Sequence, residues 1–205
     1  NVRIYAAQVL IALEDLHDIG LIYCDLKPEN LLVCLDGSLK LSDMGLATPF
    51  PKQGTDLPRM CGTPEYMSPE MLSKPSSVGC NHMTDIWSFG ILIHEILTGT
   101  TPFKRSQGNA SSEDIFNDIR NHITIDVQVE YEVTKEAKSL ITGLLTRDPR
   151  HRLGSKDTSG KYTSIRGHVW FAPLNWDAVE KGSHTPSIFP QASRAMYKSV
   201  SNKHS

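Results

Sequence analysis

The stretch from Tyr23 to Leu32 constrains this chain more than any other part of it. Within six positions it carries a carboxylate, an ammonium group and a carboxamide, on Asp25, Lys27 and Asn30. A second carboxylate, Asp43, follows a short apolar run thirteen residues after Asn30. Carboxylate and amide oxygens suit hard cations, and an ammonium group pairs with phosphate. These four side chains therefore indicate a site that holds phosphate and metal.

The apolar run between Asn30 and Asp43 predicts a β-hairpin. The pattern indicates a strand over residues 31–34, a tight turn at 36–37 and a returning strand over 39–41. Such a hairpin brings Asn30 and Asp43, at its two outer ends, close together. Magnesium takes few protein ligands and leaves room for phosphate oxygens, so these two residues are the predicted magnesium site.

Apolar periodicity elsewhere predicts a mainly helical fold. An amphipathic stripe runs from Val2 to Leu16 and ends near Gly20. The segment from Asp85 to Leu97 is apolar nearly all round, which indicates a completely buried helix. Asp85 stands at its predicted start, where its carboxylate could cap free amide groups.

The remaining segments are two shorter helices, two loops and a tail. A capping-box pattern at 111–114 opens one helix, and an apolar stripe predicts another over 134–146. Residues 46–61 and 99–110 lack periodicity and are predicted to be surface loops. From Val179 on, apolar residues become sparse, which predicts an extended or disordered tail.

Composition excludes several classes of protein. The chain has 205 residues, 39% hydrophobic and 21% charged, as expected for one soluble globular domain. A net charge of -2 gives no sign of a nucleic-acid partner, and no apolar run is long enough for a membrane span. The four cysteines lack a CxxC spacing, which favours a reducing, cytoplasmic or nuclear location. The chain opens inside a helical pattern without methionine, so we expect a fragment.

Five motifs in this chain resemble, in order and spacing, those of eukaryotic serine/threonine protein kinases. Each alone is most often a plain turn, but their joint occurrence by chance is very improbable. Residues 167–176 are further similar to the group that contains the cyclic-nucleotide-dependent kinases, the AGC group. The five motifs are the stretch Tyr23–Leu32, Asp43-Met44-Gly45, Gly62-Thr63-Pro64-Glu65-Tyr66 followed by Pro69-Glu70, Asp85-x-Trp87-Ser88-x-Gly90, and the late Arg152.

The resemblance implies an α+β protein-kinase-like fold. Residues 1–176 would form the mainly α-helical C-terminal lobe with its short β-hairpin, and residues 177–205 an extended or disordered tail. The N-terminal lobe is absent from the chain, because its glycine-rich loop, strand lysine and helix glutamate would precede residue 1. We therefore expect this chain alone to bind nucleotide poorly and to transfer no phosphate.

The resemblance also implies transfer of the γ-phosphoryl group of Mg-ATP to serine or threonine of protein substrates. Asp25 would accept or orient the proton of the substrate hydroxyl, and Lys27 would place positive charge on the transferring group. Asn30 and Asp43 would hold magnesium ions that bridge the ATP phosphates. Leu32 would lie under the adenine ring.

Three further residues are implied to contact the substrate or the nucleotide. Thr63 would form hydrogen bonds near Asp25 and Lys27. Glu29 and Glu95 would receive an arginine that precedes the target residue. Glu29 could equally bind the ribose, and Glu95 could make a polar packing contact.

The remaining motif residues are implied to support the fold. Glu70 and Arg152 would form a buried ion pair, since neither charge is tolerated alone in the interior. Asp85 would support the catalytic stretch.

Two departures from the family pattern concern regulation. Cys24 stands where kinases activated by phosphorylation of the activation loop usually have an arginine that pairs with the phosphate. Arg59 stands where this group commonly has the phosphorylated threonine. One hypothesis is that the loop is held without phosphorylation at that position.

Two other functions remain open at this point. A pseudokinase or scaffold would keep the fold for protein contacts, and the loss of arginine before Asp25 favours it. Retention of Asp25, Lys27, Asn30 and Asp43 argues against it more strongly. A kinase acting on small molecules is disfavoured by the segment 62–66, which resembles the peptide-docking part of protein kinases.

Overall fold

The computed structural model describes residues 2–51, 62–72, 81–103, 111–121, 133–157 and 161–183. No helix in these ranges is both long and apolar enough to cross a bilayer. Short 3-10 turns lie at 28–30, 64–66, 69–72 and 169–171. The helices and strands, in chain order, are α1 Val2–Asp18, β1 Leu21–Ile22, β2 Leu31–Val33, β3 Leu39–Leu41, β4 Thr48–Pro49, α2 Met83–Thr98, α3 Ser112–Asn121, α4 Lys135–Leu144, α5 Thr163–Arg166 and α6 Trp176–Glu180.

Helix α2 forms the centre of the core. Trp87 and Phe89 have no exposed surface, as the apolar sequence of this helix predicted. Helices α1 and α4 pack against it. A Cβ atom at Gly90 would lie 2.8 Å from the side chain of Leu145, so glycine is what allows α4 to approach this closely. Burying each large apolar side chain here contributes about 1.5–3 kcal/mol.

The predicted helix starts at 111–114 and 134 are confirmed. Ser111 Oγ accepts a hydrogen bond from the backbone N–H of Asp114 at 3.3 Å, and the Asp114 carboxylate accepts from the Ser111 N–H at 3.0 Å. Together these bonds are the reciprocal pair of a capping box. At the start of α4, Thr134 Oγ1 accepts from the N–H of Ala137 at 3.3 Å.

The capping role predicted for Asp85 is wrong. Helix α2 begins two residues earlier, at Met83, so Asp85 lies inside its first turn. Asn81 Oδ1 accepts the N–H of Met83 at 2.8 Å at the helix start instead. The Asp85 carboxylate is completely buried and binds the backbone of residues 23 and 24. It therefore supports the catalytic stretch, as the family resemblance implied.

The predicted hairpin is present. Strands β2 and β3 pair antiparallel, with Leu31 opposite Leu41 and Val33 opposite Leu39. The turn closes where Asp36 Oδ1 accepts the N–H of Ser38 at 2.9 Å. Leu31, Leu39 and Leu41 pack against the core, so one face of the hairpin is anchored and the other faces outward.

Residues 46–61 are not entirely loop, as had been predicted. Strand β4 pairs antiparallel with β1, so that Ile22 lies opposite Thr48. Each strand is two residues long, too short to show an alternating pattern in the sequence. Residues 52–61 and 104–110 of the two predicted loops lie outside the described ranges.

The predicted extended or disordered tail from residue 177 is wrong for its first residues. Helix α6 includes them, and Asn175 Oδ1 caps it by accepting the N–H of Ala178 at 3.1 Å. Val179 is buried, because α6 packs on α1. Residues 184–205 of the predicted tail lie outside the described ranges.

Candidate active site

The Asp25 loop, residues 23–30, is held at its start by the buried carboxylate of Asp85. Oδ2 of Asp85 accepts the backbone N–H of Tyr23 at 2.7 Å, and Oδ1 accepts that of Cys24 at 2.9 Å. Cys24 has a φ of 69°, a left-handed conformation that is uncommon for a residue with a side chain. The two hydrogen bonds stabilise this turn immediately before Asp25.

Asp25 lies at the centre of a connected set of polar groups. Its Oδ1 accepts a hydrogen bond from Thr63 Oγ1 at 3.0 Å, and its Oδ2 accepts from Asn30 Nδ2 at 3.0 Å. Lys27 Nζ lies 2.8 Å from Oδ2 and donates to Thr63 Oγ1 at 2.9 Å. Asn30 Nδ2 also donates to the backbone carbonyl of Asp25 at 2.8 Å. Asp25, Lys27, Asn30 and Thr63 are therefore mutually oriented before any ligand arrives.

These neighbours determine the charge of Asp25. Burial alone would raise the pKa of its carboxyl group, but hydrogen bonds from Lys27, Thr63 and Asn30 outweigh burial and hold that pKa below its usual value. Asp25 is therefore ionised at neutral pH. It can accept a hydrogen bond from a hydroxyl group, while it is a weak acceptor of the proton itself.

Gly62 brings Thr63 to Asp25 from a distant part of the chain. Its φ is 95°, and a Cβ atom there would lie 2.5 Å from the carbonyl oxygen of Cys24. Only glycine tolerates this combination of backbone conformation and close approach. The segment that begins at Gly62 therefore packs directly on the backbone of the Asp25 loop.

Asn30 and Asp43 lie at the same end of the hairpin. The backbone N–H of Ser42 donates to the carbonyl of Asn30 at 2.9 Å, so Asp43 leaves the hairpin next to Asn30. Asp43 is exposed, with a φ of 53° and its Oδ1 accepting the N–H of Gly45 at 3.1 Å. Because Nδ2 of Asn30 is bonded to Asp25, Oδ1 is the atom that Asn30 can offer to a cation.

The described residues contain no group of three or more histidine, cysteine or acidic side chains that could hold a metal ion. One carboxylate and one amide oxygen nevertheless fit magnesium, which retains water and phosphate oxygens as ligands. The hydroxyl of Tyr23 donates to the carbonyl of Ser42 below this end of the hairpin. Burial, followed by the charges of Asp25 and Asp43, raises the pKa of Tyr23 to about 12.

An acidic surface surrounds Tyr66, close to the Asp25 loop. The hydroxyl of Tyr66 donates to Glu95 Oε2. Burial, this bond and the nearby charges of Glu95, Glu29 and Glu65 all raise the pKa of Tyr66. Glu65 Oε2 also accepts from Thr101 Oγ1 at 3.2 Å. Glu29 and Glu95 are thus both close enough to influence one hydroxyl group, and Glu29 is exposed.

Glu70 and Arg152 form a buried, two-pronged ion pair. Nη1 and Nη2 of Arg152 donate to the two carboxylate oxygens of Glu70 at 2.7 and 2.9 Å. Arg152 is 1% exposed and also donates to three backbone carbonyls, those of Met83, Thr146 and Arg147. This pair fastens the segment after Gly62 to the core.

A family model described as protein kinase domain matches residues 1–171 of the chain. The chain belongs to the protein kinase family. It is 38% identical over 192 residues to the serine/threonine-protein kinase AtPK2/AtPK19 of Arabidopsis thaliana, covering 93% of this chain and 38% of that protein. It is 34% identical over 191 residues to the serine/threonine-protein kinase Sgk1 of Gallus gallus, covering 93% and 41%.

A third relative is the serine/threonine-protein kinase SCH9 of Saccharomyces cerevisiae, which is 35% identical over 189 residues, covering 92% of this chain and 21% of that protein. The kinase chain thus spans about two fifths or less of the length of these three relatives. The predicted similarity to serine/threonine kinases of the AGC group is confirmed.

Three apolar side chains in or after the hairpin are open to solvent in this kinase chain. Leu32 is 54% exposed, Val33 47% and Met44 47%, and Leu32 and Val33 lie on opposite faces of β2. The structure thus puts Leu32 on the accessible face of β2, next to the end where Asn30 and Asp43 meet.

The thiol of Cys24 lies beside the backbone of β1. Its Sγ lies 3.8 Å from the carbonyl oxygen of Ile22, and Ile22 is opposite Thr48 in the β1–β4 pair. Cys24 has no cationic group with which to pair a phosphate charge. Arg59 lies outside the described ranges.

Sequence reasoning missed His17 and Tyr66. His17 Nε2 lies 2.8 Å from Asp85 Oδ2, and His17 is buried. Its position four residues after Leu13, on the buried face of α1, was the available signal. Tyr66 gave no such signal, because its partner Glu95 is 29 residues away in the sequence.

Proposed function

We propose that this chain forms part of a serine/threonine protein kinase that transfers the γ-phosphoryl group of Mg-ATP to protein substrates. The observation that carries the proposal is the hydrogen-bonded set of Asp25, Lys27, Asn30 and Thr63. Phosphoryl transfer depends mostly on positioning and charge neutralisation, which such a set supplies. The names of the relatives support serine or threonine as the acceptor.

In this proposal Asp25 aligns the attacking hydroxyl group of the substrate. Its lowered pKa keeps it ionised, so that it accepts a hydrogen bond and takes up the proton only late in the transfer. The side chain of Lys27 is 24% exposed, which leaves its ammonium group able to reach a phosphoryl oxygen. Thr63 holds Asp25 and Lys27 in register during this change of partner.

The nucleotide binds at the open end of the hairpin in this proposal. Asn30 Oδ1 and the Asp43 carboxylate hold magnesium, and the exposed Leu32 lies against the adenine ring. Magnesium, when bound, would neutralise charge on the phosphates. Glu29, exposed beside this end, is a candidate for the ribose hydroxyls as well as for the substrate.

We infer a preference for substrates with an arginine before the target residue. The acidic surface of Glu29, Glu65 and Glu95 around Tyr66 supports it, because a guanidinium group pairs with carboxylates. The hydrogen bond from Tyr66 equally fits a packing role for Glu95. Glu95→Gln keeps an acceptor for Tyr66 and removes the charge.

Two peptides that differ only in one arginine before the serine separate these roles of Glu95. If Glu95 binds the arginine, the peptide that has the arginine has the lower KM. The KM of the peptide without arginine, divided by the KM of the peptide with it, then falls by about tenfold in the Glu95→Gln variant. An unchanged ratio removes Glu95 from substrate binding and leaves the packing role.

We also infer that the activation segment is held without a phosphate at position 59. The replacement of the usual arginine by Cys24, which carries no cationic group, and the arginine at 59 support this inference. Mass spectrometry of the active protein is the test. A phosphate within residues 46–61 whose removal abolishes activity would contradict the inference.

Incorporation of labelled phosphate tests the proposed function as a whole. We expect incorporation into serine-containing peptides and not into metabolites, from the gene product that contains this chain. The 205-residue chain alone is expected to bind ATP weakly and to transfer no phosphate. Asp25→Asn should lower incorporation by about 10²–10⁴-fold, while the exposed Asp15→Asn should leave it unchanged. A product that binds partner proteins and transfers no phosphate would favour the scaffold function instead.

A further inference from the structure

Four rings from distant parts of the chain meet beside the carboxylate that holds the Asp25 loop. His82, just before α2, stacks on Phe50 with ring centroids 5.3 Å apart and an interplanar angle of 21°. The ring of His17 lies 5.6 Å from that of His82 and 6.1 Å from that of Phe50. Tyr162 completes the group, with its hydroxyl 2.7 Å from His17 Nδ1 and its ring 6.3 Å from His82. These four residues are called the imidazole cluster below.

The imidazole cluster joins two segments that serve the site. Phe50 ends the segment that leads away from Asp43, and its backbone N–H donates to the carbonyl of Gly20 at 2.8 Å. His17, on the other side, contacts Asp85, which accepts the N–H groups of residues 23 and 24. His82 touches both rings, and its own chain continues directly into α2, which carries Asp85.

We propose that His82 is a positioning residue. Through its ring contacts with Phe50 and His17, it couples the segment that leads away from Asp43 to the carboxylate that holds the Asp25 loop. This proposal rests on the proposed function for the importance of Asp25. Its test measures protection of backbone amides and needs no catalysis, so it can fail while the kinase function stands.

The charge of His82 gives the proposal a pH dependence. Burial, followed by the proximity of His17, lowers the pKa of His82 to about 4, against the opposing charge of Asp85. The titratable groups facing it are His17 from α1, Asp85 from α2 and Tyr162 from the segment before α5; Phe50 is uncharged. Protonation would require a partly buried cation beside His17. Acid therefore favours states in which the ring has left the cluster.

Amide hydrogen exchange of this chain measures the coupling. The amides to follow are those of Tyr23 and Cys24, which donate to Asp85, and that of Phe50, which donates to Gly20. Amides of α4 serve as an internal reference for global unfolding. Four variants are compared with the unaltered chain: His82→Ala, His82→Phe, Phe50→Ala and the double variant with alanine at both positions.

We expect all three amides to exchange about fivefold to tenfold faster, relative to α4, in either alanine variant. The double variant should exchange no faster than the single variants, because either change removes the same stacked pair. His82→Phe keeps a ring that can stack, so its rates should stay within about twofold of the unaltered chain.

Three results would overturn the proposal: acceleration of the Phe50 amide alone, equal acceleration in α4, or behaviour of His82→Phe like that of His82→Ala. The pH profile decides independently if the alanine variants do not fold. Protection of the three amides relative to α4 should fall between pH 6 and pH 4 in the unaltered chain and stay constant in His82→Phe. A profile that is the same in both proteins contradicts the positioning role.

Discussion

Two ion pairs in this chain have almost the same nitrogen–oxygen distance but differ in how far they are exposed to solvent. Lys27 Nζ lies 2.8 Å from Asp25 Oδ2, and Arg152 Nη1 lies 2.7 Å from Glu70 Oε1. The side chains of the first pair are 24% and 10% exposed, and those of the second are 0% and 3% exposed. Distance therefore does not separate a site for chemistry from a structural pair. Accessibility does, because only the first pair can exchange a partner for a ligand.

The partners of the two cations sharpen this difference. Arg152 donates to Glu70 and to three backbone carbonyls, and its guanidinium lies 5.2 Å from the centre of the Trp87 ring. Lys27 is bonded to two side chains, Asp25 and Thr63, and its side chain is 24% exposed. A change in the buried pair should thus affect stability, and a change in the accessible pair should affect turnover.

The largest expected effect on stability follows from Arg152→Leu. It leaves the Glu70 carboxylate buried without a counter-charge and removes the donor of three carbonyls, so we expect a loss of about 3–5 kcal/mol in the free energy of unfolding. Urea denaturation measures it. Arg150→Leu is the matched control, because that side chain is 68% exposed and should have little effect. Equal losses in the two variants would remove the distinction between buried and exposed pairs.

A change in the accessible pair, Asp25 and Lys27, should lower turnover strongly and stability only slightly. Asp25→Asn removes the charge and keeps only one of the two oxygens that accept from Thr63 and Lys27, so we expect phosphoryl transfer to fall by about 10²–10⁴-fold. The unfolding free energy should change by less than about 1 kcal/mol, because the site is partly open to water. Steady-state kinetics of the gene product that contains this chain measure the first number, and urea denaturation of this chain measures the second. A loss of stability as large as that of Arg152→Leu would contradict the comparison.

Sequence patterns predicted the helices and strands that are long enough to leave a recognisable pattern of apolar residues. Helices α1 and α4 show an apolar stripe of helical period and α2 is a long apolar segment, while the β2–β3 hairpin is marked by an apolar run and a tight turn at 36–37. Strands β1 and β4, with two residues each, show no period, and the pairing of Ile22 with Thr48 is decided by tertiary contacts. Helix α6 was missed because its five residues are too few to show a helical period, and its one buried residue, Val179, is placed by the packing of α6 on α1.

The site was predictable where its residues are close in sequence. Asp25, Lys27 and Asn30 lie within one loop, so their proximity follows from chain connectivity. The helical pattern assigned the carboxylate of Asp85 to its own helix, and only the family resemblance indicated that it supports the catalytic stretch. It binds amides 61 and 62 residues earlier. Nothing local in the sequence indicates that His17 bridges Asp85 and Tyr162, since that contact depends on the packing of α1, α2 and the segment before α5.

His82 is an intermediate case between the two pairs. It is partly buried, and no acidic side chain in the described ranges is bonded to its ring as Glu70 is bonded to Arg152. Its pKa of about 4 in the folded chain lies below the ordinary value of 6.5. The unfolded chain therefore binds a proton first as the pH falls, so stability is lost between pH 6.5 and pH 4, by at most about 3 kcal/mol. Thermal denaturation across this range checks it. His82→Phe should remove this part of the pH dependence, and an unchanged profile would exclude His82 as its source.

The segment that begins at Gly62 connects the two ion pairs, because it carries Thr63 beside Asp25 and Glu70 beside Arg152. Alanine at position 62 would place Cβ 2.5 Å from the Cys24 carbonyl oxygen, in a backbone conformation that side chains rarely adopt. We expect a loss of about 1–3 kcal/mol in stability and a larger KM, because Thr63 moves away from Asp25. Gly99→Ala separates the causes, since Gly99 has a similar φ of 80° with nothing within 4 Å of its added Cβ. If both variants lose turnover equally, the contact with the Asp25 loop is not what matters.

The smallest expected effect comes from an ion pair whose two side chains are both exposed to solvent. Arg120 Nη1 lies 3.0 Å from Glu113 Oε1, and the side chains are 37% and 67% exposed. Removing this pair with Glu113→Gln should cost about 0.2–1 kcal/mol and should cost less at high salt, because water and ions screen the attraction. Urea denaturation at two salt concentrations measures both. A cost above about 2 kcal/mol, independent of salt, would mean that accessibility does not rank the pairs of this chain.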